Sequence, residues 1–324
     1  MDNLRSFSCS VKGASHDKSG LPCQDASRCG DSGKPESVQI AVVADGHGSP
    51  QYFRSDVGAR IAADAAFEGI SDFIRQNPGA PQIFLEGGGK SALDGLAKHI
   101  ISAWYTRVSD DETASPLTED PRIDEIGEAY KNHYADDPER RNFLHAYGTT
   151  LIAAAVAGDY WFGLQIGDGK CVVQYENGEW DQPIPWDDNC FLNTTTSICD
   201  DDAFKEFRYW FGYRAPDGNC VESRHGADGQ DKDRIIAPGS KPAAVFINTD
   251  GVDDSYPIFN NEKYLELLYG NVVKYAAAAG FEKTAEQMPA IAKKHAEQGS
   301  RDDVSIAGIM GDINASEISD SAGP

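Results

Sequence analysis

The chain is short of positive charge. Its 324 residues carry 29 Lys and Arg against 52 Asp and Glu, a formal charge of −23. Phosphate backbones and anionic lipid surfaces are gripped by surplus Lys and Arg, so the balance argues against nucleic acid and membrane as partners. A negatively charged substrate would have to be met by a local device such as a bound cation. Long apolar runs are also missing: none approaches the roughly 20 residues that cross a bilayer. The stretch MDNLRSFSCS lacks the basic-then-apolar order of a secretory leader, and a cytoplasmic monomer is the expectation. CxxC pairs are absent as well. The seven cysteines, at 9, 23, 29, 171, 190, 199 and 220, are odd in number and suggest neither a disulfide framework nor a zinc ribbon. No DxDxDG loop ending in Glu is present, which removes an EF-hand calcium protein from consideration.

What the chain has is apolar material enough for a sizeable core, 40% hydrophobic residues. Short β-branched and aromatic runs predict strands at Leu4 to Val11, Val38 to Ala44, Thr149 to Val156, Tyr160 to Ile166, Cys171 to Tyr175, Ala243 to Ile247 and Val304 to Met310. Gly158-Asp159 and Asn177-Gly178 read as hairpin turns. Helical periodicity falls at Gln51 to Gln76, Leu93 to Val108, Ile123 to Tyr134, Tyr264 to Ala279 and Thr284 to Glu297. Helices in blocks, rather than after every strand, predict an α+β fold: a central antiparallel β-sandwich flanked by helices.

Residues 77–91 and 109–121 read as Pro, Gly and acid-rich loops. The stretch 181–241 reads as a long, flap-like insertion of low periodicity beside a site. A single domain over 1–311 and a disordered tail over 312–324 complete the expected layout.

Several acids sit where a predicted strand ends or begins: Asp25 in GLPCQDAS, Asp45 in VVADGHG, Asp168 in LQIGDGK, Asp250 in VFINTDGV, and Asp302-Asp303 in RDDVSIAG. Any one of them is explained well enough by turn chemistry. Gathered at one sheet edge, they would repel each other unless a cation neutralised them. Oxygen ligands without a His or Cys cluster select Mg²⁺ or Mn²⁺ over zinc. Gly46 leaves room for a backbone carbonyl to approach an ion, and His47 could protonate a leaving oxygen or simply occupy a turn.

In their order, SHDKSGLPCQDA, VVADGHGS, YGTTL, LQIGDGK, INTDGV and DDVS resemble the metal-dependent protein phosphatases of type 2C, particularly a bacterial branch whose first motif reads S-H…P-C-Q-D-A. The resemblance spans residues 13 to about 310. It implies a β-sandwich with a binuclear Mn²⁺ or Mg²⁺ site at one end. Asp45 would bridge both ions, Gly46 would lend its carbonyl, and Asp250 and Asp302 would hold the second ion, with Asp303 as the fallback. Asp168 with Asp250 would hold a third, weaker ion, Asp25 would bind metal-bound water, and His47 would be the general acid. A hydroxide between two ions would attack phosphoserine or phosphothreonine directly, without a covalent intermediate. A phosphoprotein, and a Ser/Thr kinase or its targets, would be the partners.

Two positions depart from the family pattern. Gln24 stands where many members carry Glu, and Gly20 stands where the phosphate-binding arginine is usual. His16 and Lys18 are the nearest candidates to hold the phosphate. These departures keep a catalytically weak or silent phosphatase-like binding module as one alternative. Another is a phosphohydrolase with Asp45 as nucleophile, although the usual DxDx[T/V] pattern is broken by His47. A cysteine-dependent phosphatase fails on spacing, because Cys23 and Arg28 are separated by four residues rather than five.

Overall fold

The computed structural model describes residues 3–33, 38–77, 83–84, 86–137, 141–191, 194–230 and 233–312. Twelve strands are present among them. β1 (Arg5–Val11), β6 (Lys170–Tyr175), β7 (Trp180–Asp181), β11 (Pro242–Asn248) and β12 (Val304–Met310) form one sheet in the order β1-β12-β11-β6-β7. The other sheet contains β2 (Ala26–Asp31), β3 (Gln39–Ala44), β4 (Leu151–Val156), β5 (Tyr160–Ile166), β8 (Arg208–Arg214), β9 (Cys220–His225) and β10 (Arg234–Ile236), ordered β10-β9-β8-β5-β4-β3-β2. Every pairing is antiparallel.

The longer helices are α1 (Ala14–Ser19), α2 (Ser55–Gln76), α3 (Gly89–Ala114), α4 (Glu128–Ala135), and, after short turns at α5 (Ala203–Glu206) and α6 (Asp250–Asp253), α7 (Asn261–Ala279) and α8 (Phe281–Gln298). None among the described residues is long and apolar enough to cross a membrane. Successive strand residues face opposite ways, and both faces of the central strands are covered. Ala41 and Val43 of β3 pack with Ile152 and Ala154 of β4 against Val245 and Ile247 of β11, between the sheets. Ile40, Val42, Ala153 and Ala155 turn the other way, into a core shared with α2 and α3. Phe246, Val304 and Ile306 form a third core with Leu265, Tyr269, Met288 and Ala292 of α7 and α8. The order is helix, sheet, sheet, helix. It also explains why β4 reads Leu-Ile-Ala-Ala-Ala-Val without polar alternation. The expected α+β sandwich is the observed fold.

Strand positions expected from sequence agree to within about two residues, and the cysteines are free thiols. The stretch 181–241 differs from its expectation. Instead of one irregular excursion it supplies β8, β9 and β10 to the larger sheet, with Tyr209, Trp210 and Phe211 buried. Those aromatics suit a pleated, buried surface, a signal hidden among flanking Gly, Pro and Asp. Helix α3 runs on through Ala114 into the expected 109–121 loop, and the Ile123–Tyr134 pattern breaks at Gly127 into a 3₁₀ turn and α4. Of the expected tail, 313–324 lies outside the described residues. Asp312 is described, and its carboxylate takes Arg5 Nη2 at 2.5 Å.

Candidate metal centre

Register brings the acids together. Ala44 at the end of β3 lies opposite Ala26 at the start of β2, so Asp45 and Asp25 flank the same rung. Ile166, closing β5, lies opposite Leu151, opening β4. Asn248, closing β11, faces both Lys170 at the start of β6 and Ile306 of β12. Asp168 in the β5–β6 turn, Asp250 at the first turn of α6 and Asp302-Asp303 before β12 therefore share one end of the sandwich.

The electrostatics run the same way. The carboxyls of Asp45 and Asp250 lie near enough for each to shift the other's pKa. Burial first, then the charges of Asp250 and Asp25, push the Asp45 carboxyl well above the usual range. Burial, followed by Asp303, does the same to Asp25, whose Oδ2 accepts from Thr249 Oγ1 at 2.8 Å. Asp250 is pushed up to about 7 and Asp253, one turn on, to about 8, in both cases chiefly by burial. Burial also raises Asp168 and Asp254. Asp302 is exposed, and its charge is felt at both Asp25 and Asp250. So many carboxylates with so few cations near them retain protons that ordinary acids would lose.

Backbone positions are fixed tightly. Asp45 donates its N–H to Thr150 Oγ1 at 3.2 Å, and its carbonyl accepts from Thr150 N–H and Thr149 Oγ1, both at 2.8 Å. The Tyr147-Gly148-Thr149-Thr150 motif thus holds the strand end that carries Asp45. A methyl on Gly46 would sit 2.5 Å from the Gln24 carbonyl oxygen and 2.7 Å from that of Ser55, and one on Gly148 would meet the His47 ring at 2.7 Å. Only glycine fits at 46, and a side chain at 148 would displace the His47 and Tyr52 rings. Arg54, bonded through Nη1 to the Tyr147 hydroxyl at 2.6 Å and through Nε to Asp120 at 3.0 Å, braces the same segment.

His47 lies edge-on to Tyr52, with ring centroids 4.7 Å apart. Burial lowers its imidazole to about 4. Gln24 Nε2 donates to the His47 carbonyl at 3.1 Å and to Ser55 Oγ at 2.5 Å, while its Oε1 is buried without a partner. An amide here fixes the backbone of His47 and leaves one acceptor turned to no protein donor.

The acid pair divides its work. Asp303 is 3% exposed, and its oxygens accept from Gly13 N at 2.7 Å, Gln24 N at 2.5 Å and His16 Nδ1 at 2.9 Å. Burial alone would raise its pKa, but these hydrogen bonds carry it below the usual range, and the same contact raises His16. Asp303 therefore ties β12 to the chain before β2, while Asp302 is exposed and accepts the Asp303 N–H at 2.8 Å through Oδ1. His16 Nε2 comes to 3.9 Å of Asp302, and Lys18 is exposed on α1 with no side-chain partner among the described residues. Removing that tie with Asp303→Ala should cost about 3 kcal/mol in urea unfolding, because three donors lose a buried acceptor. A cost under about 1 kcal/mol would mean those hydrogen bonds hold nothing together.

One base, Arg301, adjoins the acid pair. It precedes Asp302, is exposed, and holds φ at 71° although it is not glycine, with its carbonyl pinned by Ser15 N at 3.0 Å and Ser15 Oγ at 2.6 Å. A non-glycine residue in that region is strained and persists only where its surroundings impose it. Arg28, by contrast, is paired with Asp64 at 2.5 Å and Glu68 at 3.2 Å.

Comparison with known proteins gives one family: the model described as Protein phosphatase 2C matches residues 12–288. No curated protein matches the chain. Among solved structures, the catalytic domain of the serine threonine protein phosphatase PstP, in complex with two manganese ions, is 15% identical, with 95% of this chain and 97% of that one covered and a TM-score of 0.49. Stp1, a serine/threonine phosphatase from Staphylococcus aureus, is 13% identical, with 95% of each chain covered and a TM-score of 0.47. PppA of Pseudomonas aeruginosa, a regulatory component of T6SS, is 13% identical over 95% of this chain and 98% of that one, with a TM-score of 0.45.

Proposed function

The chain belongs to the protein phosphatase 2C family, a family of metal-dependent protein phosphatases, and on that premise we propose that it hydrolyses phosphoserine and phosphothreonine esters in proteins. The observation that carries the reading is the strand register that brings Asp25, Asp45, Asp168, Asp250 and Asp302 to one end of the sandwich, where their charges act on one another. An all-oxygen, like-charged donor set fits hard divalent cations, Mn²⁺ or Mg²⁺. Asp45, Asp250, Asp302 and Asp168, with the Gly46 carbonyl, would hold them, and Asp25 and Gln24 Oε1 would accept hydrogen bonds from water beside them. Bound there, such ions supply a more acidic attacking water and offset charge on the phosphoryl oxygens.

The chain's own groups do the rest. In the free protein the His47 imidazole is neutral at pH 7, because burial holds it near 4. A phosphate dianion arriving beside the ring favours its protonated form, and that proton then passes to the departing serine or threonine oxygen. Arg301 takes the place of the family's missing arginine, holding phosphoryl oxygens next to Asp302.

The test is hydrolysis of p-nitrophenyl phosphate and a phosphothreonine peptide with Mn²⁺ and with EDTA. Turnover should require the ion, and Arg301→Ala should raise KM for the peptide about tenfold, the worth of one charge-assisted contact. Peptide binding without Mn²⁺-dependent turnover would instead make the chain a silent binding module. Activity that survives EDTA would end the metal-dependent reading.

A further inference from the structure

A cavity of about 410 Å³ shares the Asp168 turn with the carboxylates, since Gly169 and Lys170 line it. Its remaining wall comes largely from the 181–241 stretch, through Gln182, Trp186, Arg208 and Arg234. Three cations on one cavity are unusual in a chain of net charge −23. Two carboxylates, Asp233 and Glu262, also line it, and Asp233 lies 3.2 Å from His225 Nδ1.

Several donors there lack acceptors. Arg208 is 1% exposed. Its Nη1 donates to the Pro185 carbonyl at 2.9 Å and its Nη2 to the Gly167 carbonyl, but its Nε is buried without a partner. Gln182 Nε2 is buried and unpartnered too. Arg234 is exposed and has no side-chain partner among the described residues. Lys170 sits 3.7 Å above the Trp186 ring and 3.7 Å from Asp253, and its Nζ reaches the Asp168 carbonyl at 3.2 Å. An unmet buried donor costs roughly 1–3 kcal/mol. A water molecule could meet either orphan alone, but the added cations favour a ligand that brings negative charge as well as acceptor oxygens.

We propose that this cavity is an oxyanion subsite beside the phosphoryl centre, taking a carboxylate or phosphate group, either from an acidic residue flanking the phosphorylated one or as free phosphate. The first source rests on the phosphatase reading, whereas the binding chemistry does not. A Trp face and a guanidinium at the mouth suit a side chain carried on a peptide, and Lys170 ties the cavity to the turn that carries Asp168.

Two measurements test it. In the first, kcat/KM is compared for phosphothreonine peptides with Glu or Ala at each of three positions on either side, using wild type and Arg234→Ala loaded with Mn²⁺. In the second, inorganic phosphate is titrated calorimetrically into metal-free wild type, Arg234→Ala and Gln182→Leu in EDTA, so that the carboxylate centre binds none. An acidic flank as source predicts that one Glu position raises kcat/KM roughly tenfold and that Arg234→Ala erases most of that ratio. Free phosphate as source predicts equal peptides but phosphate binding that both variants weaken roughly tenfold. Equal peptides together with no phosphate binding, or binding that neither variant alters, would overturn the subsite. Should the protein hydrolyse neither p-nitrophenyl phosphate nor peptide with Mn²⁺, the phosphatase reading falls, while the metal-free titration still decides the cavity.

Discussion

Asp45→Asn is expected to lower kcat/KM roughly 1000-fold or more in Mn²⁺ while making the metal-free protein more stable. Both effects have one cause. Asp45 is buried where cations would offset its charge, and without them it feels the charges of Asp250, Asp25 and Asp168. An asparagine keeps the shape and can donate to Asp250, but it carries no charge. The same crowding sets the pH dependence. A carboxyl raised on folding contributes stability that is present below its unfolded value, near 3.8, and is lost as pH rises through its folded value, about 7 for Asp250. Asp45 and Asp25 shift the same way. Metal-free wild type should therefore lose about 2 kcal/mol, or roughly 5 °C in Tm, between pH 5 and pH 8. The loss should shrink in Asp45→Asn and disappear from wild type in Mn²⁺. Urea unfolding in EDTA at the two pH values reads it directly. A variant that turns over normally, or a metal-free wild type indifferent to pH, would remove Asp45 from the centre.

His47→Ala should lower kcat for a phosphothreonine peptide about 100-fold, within the usual range for a general acid. For p-nitrophenyl phosphate the fall should stay under about tenfold, because its phenolate leaves without needing a proton. A threonine alkoxide does need one. Equal losses on both substrates would assign His47 to packing against Tyr52 and Gly148 instead. Because the free imidazole is held near 4 by burial, productive substrate binding at pH 7 should take up a proton from solution. Calorimetry in buffers of different ionisation enthalpy measures that uptake, and its absence would mean that the ring stays neutral throughout.

The fold was legible where composition and periodicity agreed. Leu151–Val156 and Tyr160–Ile166 are apolar on both faces and joined by Gly158-Asp159, so their pairing announces itself. Ala26–Asp31 was not, since ASRCGD carries little β-propensity and forms a strand because β3 offers it a partner in register. Arg208–Arg214 and Cys220–His225 were hidden for another reason. Buried Glu222 and Arg224 bond each other and reach Tyr175 and Asp181 across the sandwich, contacts with no trace in local sequence. The site followed the same division. Acids beside glycine at strand ends stand out in the sequence, but which member of Asp302-Asp303 is buried depends on donors from Gly13, His16 and Gln24, close to 300 positions away in the chain.

The register that gathers the acids also fixes when the centre can exist. β12 lies between β1 and β11, and it carries Asp302 and Asp303 at its leading edge. Synthesis proceeds from the N-terminus, so β1 and β11 are both made before the strand that joins them. Until β12 slots between β1 and β11, β1 lacks a hydrogen-bonded partner in its sheet, and Asp302 and Asp303 are absent from the end where Asp45 and Asp250 sit. A chain released short of that strand would hold Asp45 and Asp250 yet lack both Asp302 and the strand that joins β1 to β11.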